Sequence, residues 1–328
     1  GPMGRVIVLG SLITDLVARA PRLPRPGETV LGEGFATFLG GKGFNQAVAA
    51  ARQGASVILL GQVGADDYGD AFFPALAEEG IDATFVSRDT TTGTGISCVL
   101  VGRESGENMI VANPRANFTL TVAQVDAAMS ALREEGDTGS AGQIAPQAVF
   151  LAQCETPMET VRAGLALARQ SGMLTLLNVA PVPREPLHGT LFDLVDILIV
   201  NETEATALSG TPVADEASAR VAAEQVIERG CRQVVITLGA HGYLWSSAEL
   251  GGSVRHHSEP AFAVAAVDAT AAGDAFCGAL AASLAAGDAI EDALRRANAS
   301  GAIAVTRAGA LPSLPARGEV DALLATPR

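Results

Sequence analysis

The chain of 328 residues is poor in the residues that build metal centres and disulfide frameworks, with four cysteines and four histidines. The cysteines are widely separated and form no C-x-x-C pair, while His256 and His257 are adjacent rather than at ligand spacing. A structural zinc site is therefore not expected. Free thiols buried in a reducing cytoplasm explain the cysteines better, so we expect a cytoplasmic protein.

Positive charge is also scarce, since 22 Lys and Arg face 36 Asp and Glu, a formal net charge of −14. Such a field repels nucleic acid and anionic membranes, and neither is expected as a partner. No apolar run approaches the ~20 residues that a membrane-spanning helix needs. A strand-like run begins at Arg5, so we expect no secretory signal.

The common nucleotide-binding fingerprints are missing. Gly41-Lys42-Gly43 does not complete a Walker P-loop, because Ala36 stands where that motif needs its first Gly, and Gly43 where it needs Ser or Thr. No G-x-G-x-x-G opens a helix either. The glycines nevertheless let backbone donors face a ligand, with Lys42 and Asn45 offering a cation and an amide. A plain glycine turn is the alternative.

Hydrophobic residues make up 48% of the chain and charged residues 18%, enough for a sizeable core. Nearly continuous apolar runs predict strands at Val6–Leu9, Val57–Gln62, Ala148–Ala152, Leu174–Asn178, Asp196–Val200 and Val234–Leu238. Helical patterns fall at Asn45–Gln53, Tyr68–Glu79, Pro157–Gln170, Asp215–Arg229, Asp274–Ala286 and Ile290–Thr306. Because strands alternate with helices, we predict an α/β fold with a mostly parallel central sheet covered on both faces.

Two regions break this alternation. Residues 12–38 and 95–112 contain extended segments with turns, which predict a small accessory sheet projecting from the main body. Glu134 to Gln147, rich in glycine and polar residues, is predicted to be a mobile surface loop.

The most informative stretch surrounds Asp274, which lies in the first turn of an apolar helix after a strand-like run, Phe262 to Val267. Ala271, Ala272 and Gly273 have almost no side chain, so their N–H groups can approach an anion at the positive end of the helix. A carboxylate there suits a base that deprotonates an alcohol beside a nest stabilising a transferring phosphoryl group. A simple helix cap is the alternative.

The glycine segment around Lys42 and the segment around Asp274 resemble the signatures of the ribokinase family of sugar and nucleoside kinases. Asn201-Glu202-Thr203-Glu204 resembles the N-x-x-E motif of the same family. The resemblance runs from Gly10-Ser11 to Pro312-Ser313, with the spacing closest to ribokinases. It implies a three-layer α/β sandwich forming a single kinase domain, 3–328, whose segments at about 12–40 and 95–118 make a β-sheet lid and often a homodimer surface. It also implies transfer of the γ-phosphoryl group of ATP to the primary hydroxyl of a ribose-like pentose, giving the 5-phosphate.

The resemblance further implies a role for each matching residue. Asp274 would be the general base, with Ala271, Ala272 and Gly273 as the anion hole. Asp15 would accept from two sugar hydroxyls, Gly41 and Asn45 would donate to others, and Lys42 would lie near the sugar. The remaining sugar-site positions are Ile13, Thr14, Gly43, Phe44 and Glu155. Glu155 has a structural alternative as an acid at a helix N-terminus.

For the nucleotide, Asn201 and Glu204 resemble the pair that organises Mg²⁺ through water, or they form a helix-capping box. The residues expected around ATP are Thr237, Leu238, Gly239, Ala240, His241 and Gly242, with Asn298 near the adenine; His241 is expected at the surface. A potassium site, mostly of backbone carbonyls, aligns with Asp268, Thr270, Ala304, Arg307, Gly309 and Ser313. A second argument does not depend on the resemblance. The residues Glu155, Asn178, Asn201 and Thr237 lie at or just after the carboxyl ends of predicted strands. Open parallel sheets bind ligands at the carboxyl ends of their strands.

The chain departs from the family pattern at three informative positions. Ile13 replaces an Asn that contacts the sugar, and an aliphatic side chain cannot supply that hydrogen bond. Phe44 replaces an Ala and could accommodate a nucleobase, while Arg115 replaces a Gly and could meet an acidic group; both changes could instead be distant packing that does not alter the sugar. A deoxyribokinase or a nucleoside kinase therefore remains an alternative. A catalytically silent sugar-binding protein is disfavoured because Asp274, Gly273, Lys42 and Asn201 are all present.

Overall fold

The computed structural model of the chain describes residues 4–136 and 148–327. The strands in these residues are β1 Arg5–Leu9, β2 Ile13–Ala20, β3 Gly34–Gly40, β4 Ser56–Gly64, β5 Val86–Asp89, β6 Gly95–Gly102, β7 Asn108–Asn113, β8 Val149–Ala152, β9 Leu174–Asn178, β10 Ile197–Asn201, β11 Gln233–Thr237, β12 Tyr243–Ala248 and β13 Val254–Glu259. The α-helices are α1 Lys42–Arg52, α2 Asp67–Asp70, α3 Phe72–Glu78, α4 Val122–Gly136, α5 Met158–Gln170, α6 Gly189–Phe192, α7 Glu202–Ser209, α8 Glu216–Glu228, α9 Ala272–Ala285, α10 Ile290–Val305 and α11 Arg317–Ala325. Short 3₁₀ helices span Arg115–Thr119, Gly239–His241 and Leu311–Ser313.

Nine strands form the main sheet in the order β13-β12-β11-β10-β9-β8-β1-β4-β5. Seven of them, from β11 to β5, run parallel, and β12 and β13 add an antiparallel edge. The predicted α/β class with a mostly parallel sheet is confirmed. Each of the six predicted strands is present within one or two residues of its expected ends.

Helices cover both faces of this sheet, and β1 shows why its sequence is apolar throughout. Val6 and Val8 pack with Phe44 of α1 in one core, whereas Ile7 and Leu9 pack with Leu165 of α5 in the other. Successive side chains of a strand point to opposite faces, so a strand covered on both sides needs apolar residues at every position. No helix in residues 4–136 and 148–327 is long and apolar enough to cross a membrane.

A separate four-stranded sheet, here called the lid, has the order β3-β2-β6-β7. It is the accessory sheet expected from the two extended regions, and its β6–β7 hairpin turns at Gly106, where φ is 71°. Asn117 joins the lid to the main body, because its buried side chain accepts from the Leu12 N–H at 2.9 Å and donates to the Leu12 carbonyl at 3.0 Å.

Three local predictions differ from the structure. The run Phe262 to Val267 is an irregular loop rather than a strand, because residues 263–267 are exposed and cannot bury an apolar face, and the Val267 N–H donates to the Val305 carbonyl at 2.7 Å. Helix α1 begins at Lys42, three residues before the predicted start. Of the predicted loop Glu134 to Gln147, residues 134–136 belong to α4, and residues 137–147 lie outside the described residues.

Candidate active site

The N-terminus of α1 lies directly against the connection between β1 and β2. Gly41 precedes the helix with φ 92°, and a Cβ atom there would lie 2.7 Å from the Ser11 carbonyl oxygen. Only glycine accepts both that dihedral and that contact. The Phe44 N–H donates to the Ser11 carbonyl at 2.8 Å, which fixes the start of the helix beside the strand end.

Asp274 lies in the first turn of α9, as predicted, and its carboxylate is 7% exposed. Its Oδ2 accepts from Nδ2 of Asn45 at 3.0 Å, and its Oδ1 accepts from Nε2 of Gln46 at 3.1 Å. Burial raises the pKa of Asp274, although the charge of Lys42 and the two amide donors oppose the shift. The carboxylate is therefore held by donors on both oxygens in a nearly dry site.

Two further carboxylates lie near the start of α1. Oε1 of Glu155 accepts from the Ser11 hydroxyl at 2.6 Å and from the Lys42 N–H at 2.9 Å. Burial and the neighbouring charge of Glu155 raise the pKa of Asp15 to about 6. Glu155 thus contacts the first turn of α1 as well as belonging to the predicted sugar site.

A cavity of about 150 Å³ opens beside Asp274 at the carboxyl ends of β9, β10 and β11. The predicted site residues that line it come from both halves of the chain: Lys42, Asn178, Asn201, Glu204, Thr237, Thr270, Gly273 and Asp274. Burial would lower the pKa of Lys42, but the charges of Asp274, Glu155 and Glu204 outweigh burial and raise it. The cavity therefore presents a charged ammonium group among carboxylates, which suits a polyanion accompanied by a metal ion.

The three residues expected to form an anion hole are not equivalent. Gly273 lines the cavity, and no atom of the described residues lies within 4 Å of where its Cβ would be. Ala271 is almost fully buried, and the Ala272 N–H donates to the Ala269 carbonyl at 3.3 Å. The open approach to the helix N-terminus is therefore at Gly273.

Asn201 and Glu204 form the capping box that begins α7, with the Asn201 N–H donating to Glu204 at 2.9 Å and the Glu204 N–H donating to Asn201 at 2.8 Å. Burial raises the pKa of Glu204. The cap uses only Oε1 of Glu204 and leaves the other carboxylate oxygen for a water-bound ion. Among the described residues no group of three or more His, Cys, Asp or Glu could hold a metal. An Mg²⁺ ion here would therefore depend on phosphate oxygens and water, its usual ligands in such sites.

The remaining nucleotide-side residues surround the end of β11. Gly239 to His241 form a 3₁₀ turn after Thr237 and buried Leu238, and Ala240 and His241 are exposed, as expected for His241. Gly242 has φ 83° and lies against the Glu259 carbonyl. Asn298 is buried and donates to the Pro260 carbonyl at 2.9 Å, which holds the following loop.

Asp268 joins the two segments expected to bind potassium. Its Oδ1 accepts from the N–H and hydroxyl of Thr270, and its Oδ2 accepts from the Gly309 N–H at 2.9 Å. Arg307 pairs with Glu319 instead of facing Asp268. The Ala304 carbonyl accepts from the Arg307 N–H, and Ser313 is buried with its hydroxyl on the Ala310 carbonyl. The segments 268–270 and 304–313 therefore meet at Asp268. The hydrogen bonds of Asp268 lower its pKa despite burial, so its carboxylate is ionised.

The structure corrects the expectation for Phe44, which does not face a substrate. Its ring is fully buried and packs edge-on against Phe72, with centroids 5.1 Å apart. Because α1 starts at Lys42, Phe44 is already helical and shares the core face with Val48 one turn later. A nucleobase cannot reach it.

Arg115 and Ile13 are the other departures. Arg115 has φ 44°, a conformation that favours glycine, and its Nε donates to the Thr94 carbonyl at 2.8 Å while its guanidinium lies 3.6 Å from Asp66. Its acidic partner is thus within the chain. Ile13 lies two residues before Asp15 on β2, so both project from the same face of the lid, and Ile13 is 6% exposed.

Comparison with known proteins decides the family. The family model for pfkB family carbohydrate kinases matches residues 3–317. The chain belongs to the pfkB family of carbohydrate kinases. It is 38% identical to a ribokinase of Haemophilus influenzae over 312 residues, covering 95% of both chains, and 32% identical to a deoxyribokinase of Salmonella typhi over 310 residues, covering 94% and 95%. The structure of Arabidopsis thaliana ribokinase complexed with ribose and ATP superposes with a TM-score of 0.87 at 28% identity, covering 99% and 100%.

The sequence did not reveal three residues of this pfkB site. Ser11 binds Glu155, Gln46 binds Asp274, and Gln153 binds Gln46 at 2.7 Å. Two signals could have found them: Ser11 and Gln153 each follow a buried strand, and Gln46 adjoins Asn45 in the first turn of α1.

Proposed function

We propose that this pfkB family member is an ATP-dependent pentose kinase that phosphorylates the terminal primary hydroxyl of a ribose-like sugar, with residues 3–328 acting as one kinase domain. The observation that carries the proposal is the Asp274 carboxylate, buried in the first turn of α9 between amide donors and a cavity containing Lys42, Glu204 and Gly273. The ribokinase and deoxyribokinase relatives support the substrate class.

In this mechanism Asp274 accepts the proton of the sugar hydroxyl while the hydroxyl oxygen bonds to the γ-phosphorus. The bond from that phosphorus to the bridging oxygen breaks, and ADP leaves with the bonding electrons. The Gly273 N–H and the Lys42 ammonium stabilise the charge on the transferring group, since phosphoryl transfer depends chiefly on positioning and electrostatics. Mg²⁺ held through water by Asn201 and Glu204 would neutralise the phosphates.

A buried oxygen supports a sugar site between the lid and Asp274. Oδ1 of Asn45 has no hydrogen-bond partner among the described residues. An unpaired buried polar atom costs about 1–3 kcal/mol, and a sugar hydroxyl would remove that cost. We assign this atom, with Asp15 and Glu155, to the sugar, and Gly41, Lys42 and Gly43 form the turn beneath it. Thr14 follows Ile13 on β2 and projects from the face opposite Asp15, so it is not assigned to the sugar.

A deoxypentose is a second candidate, and Ile13 is the observation that favours it. Ile13 shares the lid face of Asp15 and offers no hydrogen bond to a hydroxyl opposite it. With Phe44 in the core, nothing comparable favours a nucleoside.

We assign the remaining ATP contacts to the turn 237–242 and Asn298, and a potassium ion to the junction held by Asp268. A homodimer would form through the lid face opposite Asp15, where Phe35, Leu100 and Met109 form one exposed apolar row. A cytoplasmic location agrees with the free thiols of all four cysteines, although only Cys154, Cys231 and Cys277 are buried as expected and Cys98 is exposed.

The test is ADP release with ATP and a panel of ribose, 2-deoxyribose, other sugars and nucleosides. Release dependent on a pentose is expected, and mass spectrometry of the product should place the phosphate on the primary carbon. Activity on nucleosides alone, or no acceptor-dependent release, would contradict the proposal.

A further inference from the structure

Gln46 is a fully buried amide at the centre of the hydrogen bonds around Asp274. Its Nε2 donates to Oδ1 of Asp274 at 3.1 Å and to Oδ1 of Asn178 at 3.0 Å, and its Oε1 accepts from Nε2 of Gln153 at 2.7 Å. Both amide hydrogens therefore have acceptors, and the carbonyl oxygen has a donor.

The orientation of this amide is fixed by a backbone group. Nδ2 of Asn178 donates to the Ile199 carbonyl at 3.0 Å, which can only accept, so Oδ1 of Asn178 must face Gln46. A rotated Gln46 amide would place Oε1 against two acceptors and Nε2 against the donor of Gln153. The Ile199 carbonyl in β10 thus orients the Asn178 amide, and Asn178 in turn orients Gln46 so that Gln46 presents an N–H to Asp274.

The position of Gln46 also depends on how closely α1 and α9 pack. At Gly278, one turn after Asp274 on α9, a Cβ would lie 2.8 Å from the Gln46 carbonyl oxygen and 2.4 Å from Cβ of Ala49. The two helices therefore touch through backbone at this point, which brings the Gln46 side chain within reach of the carboxylate.

We propose that Gln46 is a positioning residue for phosphoryl transfer, whose fixed amide keeps Asp274 ionised and oriented with a lone pair free for the acceptor hydroxyl. The inference rests on the proposed function, since it assigns Gln46 to the base of that reaction. An N–H donor favours the charged form of a carboxylate, whereas burial favours the neutral form. A proton on Oδ1 of Asp274 would need an acceptor, and Gln46 cannot turn to provide one.

The test compares two buried glutamines at opposite ends of α1. Gln46→Met removes the donor with a side chain of similar length. Gln53→Met is the matched control, because Gln53 is 7% exposed and its Nε2 donates to the Pro315 carbonyl at 3.0 Å, far from Asp274 in the hydrogen-bond network. The readout is kcat against pH at saturating ATP and sugar. A lost hydrogen bond to a charged group should move the acid limb up by about one to two pH units.

Gln46→Met should recover much of its kcat at high pH. Gln53→Met should show the same acid limb in its profile of kcat against pH as the unmodified protein. A folded Gln46→Met protein with an unmoved limb, or an equal shift in Gln53→Met, would overturn the proposal. If Gln46→Met does not fold, Gln46→Leu removes the same donor and should move the acid limb in the same direction; an unmoved limb there would overturn the proposal too.

A titration without substrate separates this inference from the proposed function. The carbon-13 NMR signal of the Asp274 carboxyl, assigned by its loss in Asp274→Asn, should titrate at higher pH in Gln46→Met than in the unmodified protein. Should no sugar or nucleoside be phosphorylated, the proposed function fails while this titration still decides the role of Gln46. Identical titration curves would refute it.

Discussion

Replacing Asp274 by Asn should remove catalysis with little loss of stability, and the hydrogen bonds explain why. Both carboxylate oxygens accept from amide N–H groups, so the new NH₂ group must meet one donor. Gln46 is fixed, but Oδ1 of Asn45 has no partner among the described residues, so Asn45 can rotate its amide and accept. The oxygen of the new side chain then accepts from Gln46, and its nitrogen donates to Asn45, so two hydrogen bonds are kept.

The magnitudes follow from this accommodation. Since one bond is exchanged for another and a buried charge is removed, the free energy of unfolding should change by no more than about 1 kcal/mol. The value of kcat should fall by roughly 10²–10⁴, the usual contribution of a positioned base. KM for the sugar should rise, because the rotated Asn45 no longer offers its carbonyl oxygen to a hydroxyl.

Three measurements check this prediction: thermal unfolding, ADP affinity by calorimetry, and steady-state kinetics with a saturating sugar. ADP affinity should stay close to that of the unmodified protein, which shows that the nucleotide side is intact. Near-normal kcat in a folded variant would refute the assignment of Asp274 as base, and the mechanism would then depend on positioning alone.

Other predictions concern the sugar, pH and potassium. Ile13→Asn should move the kcat/KM preference towards ribose over 2-deoxyribose by roughly 1–3 kcal/mol, and an unchanged ratio would mean that Ile13 does not face the sugar. KM for the sugar should rise as the pH falls through about 6, where Asp15 gains a proton and stops accepting from both hydroxyls; Asp15→Asn should abolish this dependence. Activity should rise when potassium replaces a bulky organic cation at constant ionic strength, more than with sodium or lithium. An equal response to all cations, or a full response in Asp268→Asn, would argue against a specific site.

The sequence predicted most of the fold, because parallel strands covered on both faces need apolar residues at every position, as in β1. It also located Asp274 in the first turn of its helix. It failed at Phe262 to Val267, where the apolar residues 263–267 are exposed and form a loop. Of the alternatives for Phe44, packing is the one observed, because helix α1 begins three residues earlier than its pattern indicates, which turns the ring into the core.

The hydrogen bonds of Gln46 and Gln153 could not be predicted for a different reason. They join Gln46 on α1 to Gln153 just after β8 and to Asp274 on α9, and each bonded pair is more than 100 residues apart in the chain. Such contacts depend on how closely the helices pack, and no local pattern encodes that distance. The same holds for Arg115, whose positive φ is visible only in the folded backbone.

The division between the lid and the main sheet has a consequence for changing what this enzyme accepts. Ile13 and Asp15 lie on the four-stranded sheet, whereas Asn178, Asn201 and Thr237 end strands of the nine-stranded sheet. In the proposed site the lid contributes Ile13 and Asp15 to the acceptor, whereas the phosphate-handling residues all belong to the main body, and the two parts meet at Asn117 and Gly41. Transplanting lid strands between relatives, with the contacts of Asn117 and Gly41 retained, should therefore shift the preference among sugars while Asn45, Glu155 and the phosphate-handling residues stay unaltered.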